Sequence, residues 1–300
     1  MRTASRVSAT VILLLASAAA AASTEDKTFE RTVTAQPKGV VDISNVSGSI
    51  EVTGWDRQEV SVQAELGADV ERVDVTSEGA HTIIKVVLPQ HGSHHGDALL
   101  HVKIPKNSEL DVSAVSADVS AAGVLGVQHL NAVSGDVSSE LFGSDLELKT
   151  VSGDVKLKGH GQPARLRVTS VSGDVHLEHG AGELETNTVS GSLVVSLDSA
   201  SSVRARTTSG DMRFEGKLAR DATLEASSVS GDLTVRASAA GGFAYEVTSF
   251  SGDIGNCFGA KAQKESEYGP GSKLTGTRGE GAGRVRIKTM SGDVSLCDRD

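Results

Sequence analysis

Apolar and polar side chains alternate residue by residue through most of the chain, and the alternation breaks at a recurring four-residue signature. Val-Ser-Gly-Asp stands at 133–136, 151–154, 171–174 and 229–232, with variants at 46–49, 115–118, 189–192, 208–211, 250–253 and 290–293. Before it come apolar pairs such as Leu146 and Leu148, Leu166 and Val168, or Val285 and Ile287. After it come Val155 and Leu157, Val175 and Leu177, or Leu233 and Val235. Period two on both sides predicts two short half-buried strands per unit, meeting at a Ser-Gly corner. No segment carries a helical period, and a two-strand unit cannot bury its own apolar face, so successive units must stack. The pattern predicts an all-β fold: a single-chain parallel β-solenoid (β-helix) with repeats of 18–21 residues.

Counted from the signature glycine, or from Ala117 where alanine replaces it, the steps are 69, 18, 18, 20, 18, 19, 21, 21 and 40 residues. The 40 equals two units, and the 69 has room for three longer units with a decayed signature. Six residues before each signature glycine stand His129, Glu147, Arg167, Glu185, Arg204, Glu225, Glu246 and Arg286, with signs that alternate through most of the column. Arg165 and Glu183 repeat the opposition two positions earlier. Parallel strands stacked ~4.8 Å apart make such residues cross-strand neighbours, where opposite charges stabilise and like charges do not. The chain divides accordingly into 1–22, a leader; 23–110, irregular N-terminal β rungs or a cap; and 111–300, the regular array with a Gly-rich excursion at 259–283.

The leader reading rests on Arg2 and Arg6, the apolar stretch Val11–Leu15 and an alanine run ending Ala20-Ala21-Ala22-Ser23, the layout of a secretory signal peptide cleaved after Ala22. The expected product is not membrane-spanning and is extracytoplasmic: periplasmic, cell-surface or secreted. Disulfides persist there, and Cys257 and Cys297 each lie five residues after a signature glycine, at the same phase of the unit. If the stretch 259–283 loops out, their rungs become neighbours and a bridge fits; if it forms a full rung, the separation doubles to ~9.6 Å and the bridge does not form. The bridge is the expected outcome.

Composition narrows the chemistry. A net charge of −10 disfavours the phosphate neutralisation on which nucleic-acid binding depends, and aromatic residues at 3% leave an aliphatic core. The signature aspartates, Asp118, Asp136, Asp154, Asp174, Asp211, Asp232, Asp253 and Asp293, would form a column with carboxylates ~5 Å apart, repelling by roughly 0.8 kcal/mol even at water's dielectric and inviting Ca²⁺. Against this, an Asp in a turn ordinarily accepts backbone hydrogen bonds, and Ser49 and Ser192 interrupt the column. The ten signature serines are expected to form a hydroxyl–backbone ladder at the corner, slightly relaxed at Ala117. His91, His94 and His95 suit a transition metal by ligand type, but their glycine-rich loop supplies no fixed frame; His176 and His179 flank a strand end. No nucleophile elbow, zinc-protease motif or Cys–His pair emerges, so no catalytic residue, cofactor or metal site is assigned.

The opening Asn45-Val-Ser-Gly-Ser-Ile-Glu-Val-Thr-Gly-Trp-Asp56, the segment Lys103-Ile-Pro-Lys-Asn-Ser-Glu-Leu110 and the repeated Val-Ser-Gly-Asp-Val resemble the bacterial putative-adhesin family of β-strand-repeat proteins, a domain of unknown function. The resemblance implies an extracytoplasmic β-repeat scaffold with no established catalytic residues. The expected function is a non-catalytic cell-envelope interaction protein with an unidentified protein or cell-surface partner, and with homo-association possible through unpaired solenoid ends. A Ca²⁺- or metal-responsive module is the alternative, followed by a β-helix carbohydrate-active enzyme.

Overall fold

The computed structural model describes residues 27–89, 96–264 and 270–299, and these residues contain strands and no helix. The N-terminal part holds β1 (Lys27–Thr34), β2 (Val40–Trp55), β3 (Glu59–Leu66), β4 (Arg72–Glu78), β5 (His81–Val87) and β6 (Ala98–Pro105). The repeats follow as β7 (Glu109–Ala122), β8 (Gln128–Ser134), β9 (Val137–Leu141), β10 (Leu146–Ser152), β11 (Val155–Gly159) and β12 (Ala164–Ser172). Beyond them lie β13 (Val175–Ser190), β14 (Leu193–Ser209), β15 (Met212–Ser230), β16 (Leu233–Ala239), β17 (Gly242–Ser251) and β18 (Ile254–Asn256). The last four are β19 (Gln263–Lys264), β20 (Ser272–Gly279), β21 (Gly283–Ser291) and β22 (Val294–Cys297).

Equivalent strands of successive units pair in parallel and in register: β10 lies between β8 and β12, β11 between β9 and β13. Leu148 therefore stacks between Leu130 and Val168, and Leu157 faces Leu177, so the inward positions of all units merge into one aliphatic core. From β13 to β15 the loop that closes the unit is itself strand, with register shifts near Gly180 and Ala200 where the chain bends.

The corner explains the glycine. Gly153 has φ +119°, and a Cβ there would lie 2.1 Å from the carbonyl oxygen of Gly135; Gly173 meets Gly153 in the same way at 2.2 Å. Each corner packs on the backbone of the next, so a side chain is excluded by both conformation and space. Ala117 escapes because its φ is not positive: β7 passes through this corner as continuous strand.

Rung order departs from chain order at both ends. Gly48 pairs with Ala117, so the 69-residue step encloses no stack of decayed units. Instead the chain leaves β2 on its far side, builds β3 to β6 there, and returns at β7; β2 thus lies between β5 and β6 on one side and β7 on the other. At the opposite end β21 pairs with β15 and with β17, and β22 with β16 and β18. The last rung in sequence is therefore slotted between the two preceding ones, and the 40-residue step connects adjacent rungs. Within that step β20 turns back to pair antiparallel on β17, so the Gly-rich excursion is partly strand.

The outer parallel rungs are not the last strands of the sheet. Antiparallel strands lie over the outer rungs: β3 on β6, β1 on β3, β4 on β5 and β20 on β17. The outermost β1 and β4 carry Lys27, Glu30, Arg31, Arg72, Asp74 and Glu78, charges that discourage edge-to-edge pairing. Three of the nine aromatics cluster at the C-terminal cap: Phe258 lies 6.3 Å from Phe243 and 5.4 Å from Tyr245 between ring centroids, with Arg278 4.7 Å above it.

Candidate functional site

Because each unit repeats the same geometry, chemistry is arranged in columns along the stack. The aspartate column is occupied by the backbone. Asp118 Oδ1 accepts from the Asp136 N–H at 2.8 Å, Asp136 from Asp154 at 2.9 Å, Asp154 from Asp174 at 3.0 Å and Asp174 from Ser192 at 2.8 Å. The series continues from Asp211 to the Asp232 N–H (2.9 Å), from Asp232 to Asp293 and from Asp293 to Asp253 (both 2.8 Å). Seven of the eight carboxylates thus serve the turn, as expected of Asx residues, but each caps the neighbouring rung and not its own; Asp253, at the end of the series, takes part through its N–H.

The hydroxyl ladder also exists, yet not on the residues expected to form it. The signature serines from Ser116 onward are exposed. The corner bonds come from the buried position two residues earlier: Thr150 Oγ1 donates to the Ser152 carbonyl at 3.3 Å, Ser170 to Ser172 at 3.4 Å, Thr207 to Ser209 at 3.3 Å and Ser228 to Ser230 at 3.0 Å. An inward hydroxyl reaches a corner carbonyl that a solvent-facing one does not. Thr289, in the same column, is buried with its hydroxyl unpartnered.

His91, His94 and His95 lie outside the described residues. His176 is 3.3 Å from Glu178 and His179 is 3.2 Å from Asp198, both pairs being exposed. Sequence reasoning overlooked Glu109, Asp111 and His129, whose potential ligand atoms lie within 4.8 Å of one another across β7 and β8. Burial raises the Asp111 carboxyl above its ordinary range, with His129 opposing that shift.

Charge pairing follows the stack. Arg165–Glu183 (3.0 Å), Arg167–Glu185 (3.2 Å), Arg204–Glu225 (3.3 Å) and Arg286–Glu246 (3.3 Å) join neighbouring rungs. A hydrogen bond from Lys273, with Arg286 adding to it, holds the Glu246 carboxyl below the usual carboxylate range.

The largest feature missed is apolar and exposed. The first residue of the signature faces solvent in nearly every rung: Val115, Val133, Val151, Val171, Val189 and Val229 are 43–49% exposed, and Phe250 and Met290 are 57% exposed. Thr208 occupies the same place in its rung, and Val46 is half-buried. Stacked at ~4.8 Å, these positions form a ridge about 43 Å long. An apolar groove of about 620 Å³ runs beside it from Val46 to Val171. A contiguous exposed apolar surface marks an interaction site more often than a scattered one does. Its signal was the first letter of the signature, apolar in every copy except Thr208, which period-two logic alone leaves unplaced because the corner turns two successive side chains outward.

Cys257, directly after β18, and Cys297, the last residue of β22, are joined in a disulfide with Cα atoms 4.9 Å apart.

The family model described as Toastrack DUF4097 matches residues 41–297. Similar solved structures include a putative adhesin from Bacteroides fragilis NCTC 9343, with 11% identity and a TM-score of 0.37 over 92% of this chain and 99% of that one. A putative adhesin from Parabacteroides merdae ATCC 43184 shares 11% identity with a TM-score of 0.30, covering 90% and 96% of the two chains. A putative cell adhesion protein from Clostridium sporogenes ATCC 15579 shares 8% identity with a TM-score of 0.23, covering 91% and 100%. Overlaps at these TM-scores carry no information on function. Comparison with curated proteins gives no match.

Proposed function

This chain belongs to the Toastrack DUF4097 family, and from that premise we propose that it is a non-catalytic, extracytoplasmic β-solenoid scaffold that acts in the cell envelope through its exposed ridge. The carrying observation is the ridge itself, an apolar surface kept at one phase of the repeat while neighbouring phases are polar or buried. A solenoid is suited to this, because it multiplies one residue choice into an extended surface. The disulfide supports an oxidising compartment, as do the leader-like residues 1–22. No helix among the described residues is long and apolar enough to cross a membrane. On this reading 23–110 supplies irregular rungs and a cap ahead of the array at 111–300, supported by the parallel pairing of β2 with β5 and β6 and by the antiparallel β1, β3 and β4.

The test is photo-crosslinking in intact cells. A benzophenone side chain at Val151 or Val229 is expected to capture an envelope component or a second copy of the chain, whereas one at the exposed Lys156 is not. Recovery of the chain from the cytoplasm with Cys257 and Cys297 reduced, or absence of ridge adducts, overturns the proposal. The Glu109, Asp111 and His129 group favours a second reading, a metal-responsive module, for which thermal unfolding with Zn²⁺, Ca²⁺ or EDTA is the measurement.

A further inference from the structure

We infer that the ridge is a self-pairing surface, on which two copies of this chain lie side by side with a two-fold axis parallel to the stack. The inference rests on the ridge being the interaction surface and names its partner. Three features support a second copy as occupant.

The first is charge. Two residues before the ridge position runs a column with cations and no carboxylate: Lys85, Ser44, Ser113, Asn131, Lys149, Thr169, Asn187, Arg206, Ser227, Lys288 and Thr248, each beside the next in the observed register. Lys149 in addition meets Glu147 at 2.7 Å. Three residues after the ridge position runs the exposed aspartate column. The ridge therefore has a basic flank on one side and an acidic flank on the other. A two-fold axis along the stack sets the basic flank of one copy against the acidic flank of its partner, rung for rung; an axis across the stack sets like against like. Complementary potentials of this kind fix register and suppress the wrong arrangement.

The second is shape. The groove lies directly beside the ridge, on its basic side. The axis that matches the charges also places the Val46–Val171 half of each ridge in the partner's groove, the self-complementarity an isologous interface requires. The third is area. A strip about 43 Å long and about 13 Å wide, from the basic column to the corner, buries on the order of 1,100 Å² over both copies, the size of a weak, transient interface. The pairing should accordingly be reversible.

The experiment is sedimentation velocity of the disulfide-intact chain across the micromolar range, combined with single-cysteine crosslinking. Wild type is expected to pass from monomer to dimer with concentration. Val151→Gln with Val171→Gln weakens association at least tenfold, Arg206→Glu weakens it most at low salt, and Lys156→Gln on the other face leaves it unchanged. Val133→Cys, Val151→Cys and Val229→Cys, each made singly, form self-crosslinked dimers, because a parallel axis puts every ridge residue beside its own copy. A chain monomeric throughout, a dimer indifferent to the valine substitutions, or crosslinks confined to the middle of the ridge near Val189 overturns the inference. If the protein is monomeric while ridge photo-adducts contain another envelope component or a lipid, self-pairing fails and the interaction scaffold stands.

Discussion

At the scale of single residues the signature divides its labour. Glycine admits the neighbouring carbonyl, aspartate caps the next rung's N–H, and the first residue is displayed to solvent. A column of like charges survives because each carboxylate gains a charge-assisted hydrogen bond that exceeds its repulsion with neighbours ~5 Å away in water. The two contributions separate by substitution. Asp154→Ala loses the bond to the Asp174 N–H and should destabilise by about 1–2 kcal/mol, whereas Asp154→Asn keeps an acceptor, removes a repulsion and should leave the melting temperature unchanged or raised at low salt. Thermal unfolding of both variants at two ionic strengths decides it. Equal destabilisation by Asn and Ala would mean that the charge, and not the acceptor, holds the corner.

At the scale of elements, the C-terminal cap is where the stack depends on covalent chemistry. β18 has three residues and β22 four, too short to hold themselves in place by pairing alone. The disulfide closes a 40-residue separation, and in the chain-entropy model a loop of that length contributes about 4 kcal/mol. Reduction, or Cys297→Ser, should lower the melting temperature and release amide protection in β17, β18, β20 and β22 before that of β8 to β12. Hydrogen exchange with and without reductant measures this. Uniform loss of protection would show that the array unfolds as one unit and that the cap is not separately stabilised. The Phe243, Tyr245 and Phe258 cluster covers the same end, so aromatic packing and the bridge close the core together.

At the scale of the whole molecule, rung order resolves a discord in the sequence. Read in chain order, Glu225 and Glu246 stand side by side and interrupt an otherwise alternating ladder. In the structure Arg286 lies between them, paired in register with both, and the column from His129 to Glu246 alternates without a break. A double-mutant cycle with Glu225→Gln and Arg286→Gln should give a coupling of about 0.2–1 kcal/mol, because the two residues are cross-strand neighbours. Strict additivity of that pair would restore chain order, which sets them two rungs apart. The strands, the parallel register, the aliphatic core, the special corner at Ala117 and the cysteine pairing were all legible in the sequence, because each follows from period-two alternation and a fixed repeat phase. Local periodicity has no term for which rung a long excursion returns to, so the nesting of β2 and β21 inside their neighbours belonged to the tertiary structure alone. The same holds for the solvent ridge. The repeat showed that one valine recurs, but only the turn of the corner decided that it and the adjacent serine both point outward, leaving an apolar line between a basic and an acidic flank.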